Sequence, residues 1–260
     1  TLTLTIGANN PPVDADETNT VTEDTTLTVA NGAAGDLLNN ASDPDGNPLS
    51  ITSFLVAGNA TPFTVTAGSP GVANLPGIGI LTINSDGSYS FAPAANYTGA
   101  IPVVTYTLAD GVGGTDTSTL TLTINPVNDA PVAAAGSITP TEDTPINVPL
   151  SGTDVDGTIA SFTITAGPTP AQGTLVYDND GNPATPPVAV VLNTPLTPAQ
   201  AATVQFVPTL NYNGPVAPIT YTVTDNQGLP STPATVTINP VTPVNDAPVA
   251  AAGSITPTED

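Results

Sequence analysis

Two tight acidic loops, Asp43-Pro44-Asp45-Gly46 and Asp154-Val155-Asp156-Gly157, are the first places where this sequence could do chemistry. In each, two carboxylates stand one residue apart, and the glycine lets the chain bend beside them. A second acidic pattern, Glu-Asp, stands at Glu23-Asp24, Glu142-Asp143 and Glu259-Asp260. A third, Asn-Asp-Ala-Pro, stands at Asn128-Asp129 and Asn245-Asp246, with a looser copy at Asn9-Asn10. Asp110 and Asp225 each follow an alternating apolar run. Carboxylates, Asn side chains and backbone carbonyls are the usual donors to Ca²⁺, which takes roughly 6–8 oxygen ligands. Singly, each pattern has a plainer reading: an Asp-x-Asp-Gly as a turn, an Asn-Asp-Ala-Pro as a linker.

Composition sharpens the choice. The chain has 22 acidic residues and no Lys, Arg or His, so no side-chain cation can neutralise them. Convergent carboxylates would repel by several kcal/mol in order of magnitude, and a hard divalent cation turns that cost into binding. Absent His and Cys make a zinc site improbable. Without basic residues there is nothing to hold phosphates, so no nucleic acid and no direct binding to an anionic membrane is expected. Zero cysteine also means no disulfide. No apolar run approaches the ~20 residues of a membrane helix.

Internal repetition orders these patterns. Residues 128–143 recur without a break as residues 245–260, and the looser copy begins at Asn9. The expected domains are 1–8, the last strand of a preceding repeat; 9–127 and 128–244, two whole repeats; and 245–260, the start of a further one. The chain is therefore expected to be a piece of a longer modular protein.

The elements that must position the acids read as strands. Runs at 26–29, 49–56, 80–83, 89–91, 103–108 and 119–124 alternate with period two, and Ser85-Asp86-Gly87 marks a hairpin turn. Only 197–202 reads as a helical turn. The fold class is all-β: tandem immunoglobulin-like β-sandwich domains arranged end to end. Tyr97 and Tyr212, before the penultimate strand, are candidates for a hydroxyl-to-backbone corner or for ordinary half-buried tyrosines.

Following the chain direction, the loops carrying Asp43 and Asp45, then Asp110, fall at the top of the first repeat with Asn9 and Asn10. Asp154, Asp156 and Asp225 fall at the top of the second with Asn128 and Asp129. Glu23 and Asp24 fall at the bottom of the first. Glu142 and Asp143 fall at the bottom of the second, with Asn245 and Asp246 beyond. The acids are thus expected to meet at repeat junctions and to bind calcium there. Asp178-Asn179-Asp180-Gly181-Asn182 reads as a plain hairpin turn before a further metal loop. Asp14, Asp16 and Glu17 read as solvated, with a supporting role at the first linker as the alternative.

The stretches 79–91, 96–99 and 106–111, with the Asn-Asp-Ala-Pro linkers, resemble the cadherin-like and VCBS-type repeats of large bacterial RTX surface adhesins. The resemblance covers nearly the whole chain. It implies a junction site that uses Glu23, Asn128, Asp129, Asp154, Asp156 and Asp225 around Ca²⁺. Asn10 departs from it, standing where Asp129 would. It also implies an extracellular, bacterial cell-surface location reached by type I secretion.

The leading expectation is a non-catalytic, calcium-stiffened extender of an adhesin, serving attachment or biofilm formation, with neighbouring repeats as partners. The alternative is a subunit of a self-assembling extracellular filament or sheath, with like chains as partners. A sugar-binding adhesin domain is weakened by the absence of Trp. An enzyme is disfavoured because His, Lys and Cys are missing.

Overall fold

The computed structural model describes residues 7–182 and 184–248, and the chain divides into two units, Thr1–Val127 and Asn128–Asp260. Of the expected flanking pieces 1–8 and 245–260, residues 1–6 and 249–260, Glu259 and Asp260 included, lie outside the described residues.

In the first unit, strands β1 (Glu17–Thr22), β3 (Ser50–Val56), β4 (Phe63–Thr64), β8 (Val104–Ala109) and β9 (Thr115–Asn125) form a five-stranded sheet ordered β1-β9-β8-β3-β4. Strands β2 (Leu27–Val29), β5 (Gly71–Leu75), β6 (Gly79–Ile83) and β7 (Tyr89–Pro93) form a four-stranded sheet ordered β2-β7-β6-β5. Period-two patterning is the cause. Val104, Tyr106 and Leu108 of β8 face inward while Thr105 faces out, and Gly71, Ala73 and Leu75 of β5 do the same. The inward faces meet in one aliphatic-aromatic core that includes Ile51, Phe54, Leu81, Phe91, Tyr106 and Leu120. Each fully buried side chain of that size contributes roughly 1.5–3 kcal/mol. β1 runs parallel to β9, pairing Glu17 with Leu120 and Thr22 with Asn125.

The β6–β7 hairpin turns at Asn84–Ser88, where Gly87 has φ 90°. A Cβ on Gly87 would lie 2.1 Å from Asp36 Oδ1, so both conformation and space demand glycine here.

The second unit repeats the plan with shorter strands. β11 (Gly136–Ile138), β14 (Ile159–Ala166), β17 (Pro195–Leu196), β19 (Ile219–Asp225) and β20 (Ala234–Ile238) make a sheet ordered β11-β20-β19-β14-β17. β12 (Ile146–Asn147), β15 (Gly173–Tyr177), β16 (Val188–Ala189) and β18 (Gln205–Pro208) make one ordered β12-β18-β15-β16. A small ribbon joins β10 (Val132–Ala133) to β13 (Gly152–Thr153). The helical turn is α1 (Pro198–Ala201), capped by Thr197 and Gln200 in a reciprocal capping box. Its core centres on Phe206, Ile219, Tyr221, Val223 and Val236.

Both tyrosine corners are made. The Tyr97 hydroxyl donates to the Ala100 carbonyl at 2.6 Å, and that of Tyr212 to the Pro215 carbonyl at 2.5 Å. Asp178 and Asp180 accept backbone N–H groups of their own loop, as a turn would have them do.

Candidate metal centre

The acids sit where strand register puts a core-facing position beyond the last apolar residue. In β19 the inward residues are Ile219, Tyr221, Val223 and then Asp225, which is 1% exposed. Asp110 continues the inward series Val104, Tyr106, Leu108 in the same way and is also 1% exposed. Glu23 continues Val21 of β1 and is 2% exposed; Glu142 lies beyond Ile138 and is 3% exposed. Buried carboxylates need partners, and the hydrogen bonds show which of these have them.

At the top of the first unit, Asp110 Oδ1 accepts the N–H groups of Val112, Gly113 and Gly114 at 2.8–3.0 Å. Its Oδ2 accepts Asn9 Nδ2 at 2.6 Å. The Asn9 bond, more than the backbone donors that also oppose burial, holds the Asp110 carboxyl below its ordinary range. Asn10 donates its backbone N–H to Asp45 Oδ2 at 2.6 Å. Asp43 Oδ1 accepts the N–H groups of Asp45 and Asn47, while its Oδ2 is buried with no hydrogen-bond partner.

The second unit's top is built alike. Asp225 Oδ1 accepts Gln227 and Leu229 N–H at 2.9 and 2.8 Å, and its Oδ2 accepts Asn128 Nδ2 at 2.6 Å. Burial pushes this carboxyl up, but the bonds from Asn128 and the loop together bring it below its ordinary range. Asp129 N–H donates to Asp156 Oδ2 at 3.3 Å. Both oxygens of Asp154 are buried with no hydrogen-bond partner.

At the bottoms, Glu23 Oε2 accepts Val127 N–H at 2.9 Å, and Glu142 Oε2 accepts Val244 N–H at 2.9 Å. Glu23 Oε1 is buried without a partner, whereas Glu142 Oε1 accepts Asn213 Nδ2 at 3.4 Å. Asp24 and Asp143, both at positive φ, each give an oxygen to the backbone N–H of Asn96 and Asn211 respectively. They tie two turns together as well as standing beside the buried glutamates. Asn245 and Asp246 are exposed.

The donor set is therefore hard oxygen throughout, and Glu23 Oε1, Asp43 Oδ2 and both Asp154 oxygens have no donor to satisfy them. That suits an oxygen-seeking cation. Among the described residues no three acids assemble into a metal-holding group. What each unit carries by itself is a pair of partial sets, one at either end.

One expectation is overturned. Glu17 is 9% exposed, and Glu17 Oε1 and Asp14 Oδ1 are buried without hydrogen-bond partners, so these two acids are not solvated. Asp16 does stay exposed, taking Thr119 N–H at 2.8 Å. Pairing of β1 with β9 turns Glu17 inward on the register that also carries Val21 and Glu23. Sequence reading also missed Asp36, 1% exposed, whose carboxylate accepts Gly32 and Leu38 N–H.

Residues 9–126 match the model of the bacterial cadherin-like domain, and residues 128–239 match that of the bacterial Ig domain. The chain is a tandem of cadherin-like and immunoglobulin-like domains. No curated protein sequence matches it. Similar solved structures include mouse cadherin-23 EC22-24, at 16% identity and TM-score 0.38, covering 91% of this chain and 65% of that one. They also include protocadherin gamma B2 domains 3-6, at 15% and 0.37, covering 88% and 51%. Protocadherin gammaB7 EC3-6 stands at 14% and 0.41, covering 89% and 52%. The tandem thus spans less than two thirds of each of these cadherin structures. No helix among the described residues is long and apolar enough to cross a membrane.

Proposed function

We propose that these repeats are non-catalytic extender modules of a large bacterial surface adhesin, stiffened by calcium at the repeat junctions. Cadherin-like and immunoglobulin-like domains are typically structural modules. The observation that carries the calcium reading is the set of buried carboxylate oxygens without donors, Glu23 Oε1, Asp43 Oδ2 and the two of Asp154, in a chain with no side-chain cation. In this reading Glu23 of one repeat and Asn128, Asp129, Asp154, Asp156 and Asp225 of the next hold Ca²⁺ together. The Asn128–Asp225 bond sets two of these groups in place beforehand. Such sites in extracellular modules bind at about 10⁻⁴–10⁻³ M, so the ion is taken up outside the cell. An adhesive region carried beyond the repeats would then be projected on a stiff stalk, and export by type I secretion would deliver the chain before calcium loads it.

The test is ion counting by calorimetry on the whole chain. Asp154→Ala with Asp156→Ala removes calcium bound by the second repeat and leaves that bound through Asp43 and Asp45. Unchanged stoichiometry in the double variant contradicts the assignment.

A further inference from the structure

The second repeat leaves one apolar strand edge open. β16 ends the order β12-β18-β15-β16, so its far side pairs with no strand among the described residues. It lies in the run Pro186-Pro187-Val188-Ala189-Val190-Val191-Leu192, which has no polar side chain. Val188, Val191 and Leu192 are 43%, 65% and 45% exposed. Sheet edges are commonly guarded by charged side chains, but no Asp or Glu stands between Asp180 and Asp225. Asp178 and Asp180, the acids nearest in sequence, are engaged with N–H groups of their own turn. The first repeat also has an edge strand, β5, but there the exposed Val72 is followed two residues on by Asn74, and no comparable apolar run forms.

The backbone groups of this edge decide what can cover it. Val190 N–H donates to the Leu175 carbonyl at 2.9 Å, while Val188 and Ala189 stand opposite Tyr177 and Val176. Val188 and Val190 therefore turn their backbone groups toward β15, and the alternate residues turn theirs to the open side. Facing outward are the Pro187 carbonyl, the Ala189 carbonyl and N–H, and the Val191 N–H. Pro187 has no N–H to offer. The Val191 carbonyl already accepts Thr194 N–H at 3.3 Å.

That set is complementary to itself. A second copy laid antiparallel, with a two-fold axis at Ala189, pairs each Ala189 N–H with the other copy's Ala189 carbonyl. It also pairs each Val191 N–H with the other copy's Pro187 carbonyl. The missing Pro187 donor falls opposite the occupied Val191 acceptor, so no group is left over. An ordinary strand laid on the same edge would leave one N–H and one carbonyl of its own unpaired. Val188 comes to lie opposite Val190 of the copy, on the face where Val190 packs against the core. Charge favours the same occupant: in a chain of net charge −22, a charge-free edge is where a like copy can approach at least cost.

We propose that the β16 edge is a self-association surface, on which two copies of this chain pair antiparallel and join their four-stranded sheets into one. The contact is isologous, each copy using the same patch. Its area is at the small end for protein interfaces, so it acts where chains are crowded. It joins chains sideways and needs no ion at the repeat ends, so it goes beyond the extender reading and does not rest on it.

The test is sedimentation velocity of the whole chain over a concentration series, in chelator, at about 0.05 and 0.5 M salt. Chelator removes any calcium bridge between acids, so failure of the junction reading leaves this result unaffected. The expected result is a monomer–dimer equilibrium that shifts toward dimer at the higher salt. Screening weakens the repulsion between two chains of net charge −22, while the paired edge carries no charge to screen. Ala189→Asp sets two carboxylates directly opposite each other across the axis and weakens the dimer about tenfold or more. Val191→Pro removes the outer pair of bonds and weakens it too. Val72→Asp, on the first repeat's edge strand, leaves it unchanged. If Val191→Pro does not fold, judged by its β-sheet circular dichroism, Ala189→Asp decides, since Ala189 is exposed. A wild type that stays monomeric at the higher salt overturns the proposal and leaves the edge to a partner of another kind. A dimer that persists unweakened in the folded edge variants, or one lost in Val72→Asp, overturns it as well.

Discussion

Glu23→Gln separates the charge of a carboxylate from its shape. Glutamine keeps a carbonyl oxygen to accept the Val127 N–H, now held at 2.9 Å, and loses the negative charge on the buried, donor-free Oε1. At about 5 mM calcium and a dissociation constant of about 10⁻⁴–10⁻³ M, one bound ion stabilises the fold by about 1–2 kcal/mol. For a domain of this size that is a rise in melting temperature of roughly 3–10 °C. A tenfold weaker site retains about 1 kcal/mol less of that stabilisation. The calcium-dependent rise should therefore shrink by roughly 3–5 °C in Glu23→Gln, while melting in chelator stays within about 1 kcal/mol of wild type, since the Val127 bond survives. Circular dichroism melts in the two buffers measure this. Asp180→Asn is the control, because Asp180 is spent on Asn182 N–H and the Thr185 hydroxyl. A calcium-dependent rise that is unchanged in Glu23→Gln, or equally reduced in Asp180→Asn, refutes the reasoning.

Two further outcomes follow from bonds already described. Tyr97→Phe removes the hydroxyl that donates to the Ala100 carbonyl at 2.6 Å, and should cost about 1 kcal/mol in urea unfolding of the first repeat; no loss would mean the corner is not made in solution. Acid titration in chelator should show opposite slopes from two sets of carboxyls. Asp110 is held low, first by Asn9, so its contribution is present above the unfolded value near 3.9 and is lost as pH falls through its lower folded value. Asp14 and Glu17 are pushed up by burial, so their contribution is present below the unfolded value and is lost as pH rises through the folded one. Asp110→Asn should flatten the acid limb, and Glu17→Gln should flatten the loss above it.

Much of the fold was legible because period-two alternation is a local signal. β3, β6, β7, β8 and β9 all announce themselves by it, and the Asn84–Ser88 turn by its glycine. β5 is less visible, since Ala73 is its small central core residue and Asn74 interrupts the apolar run. The middle of the second repeat carries little periodic signal, because β16 and β17 are two residues each, too short to show a period. The candidate acids stand out by type and by chain direction. Their burial was not, because it comes from register: Glu23, Asp110 and Asp225 each take the core-facing place that follows a strand's last inward apolar residue. Asp14 and Glu17 were misread for the same reason. β1 owes its inward face to a parallel partner about a hundred residues away in sequence, the separation between Glu17 and Leu120, and no local pattern carries that information. The backbone duty of Asp24 and Asp143 likewise depends on Asn96 and Asn211, distant in sequence.

The claim at the centre of this account is that calcium ties one repeat to the next. Small-angle scattering on the whole chain, in chelator and in about 5 mM calcium, measures it directly. The account predicts a longer maximum dimension and a narrower distribution of dimensions in calcium, with the β-sheet signal retained in both buffers. Identical distributions in the two buffers would contradict it.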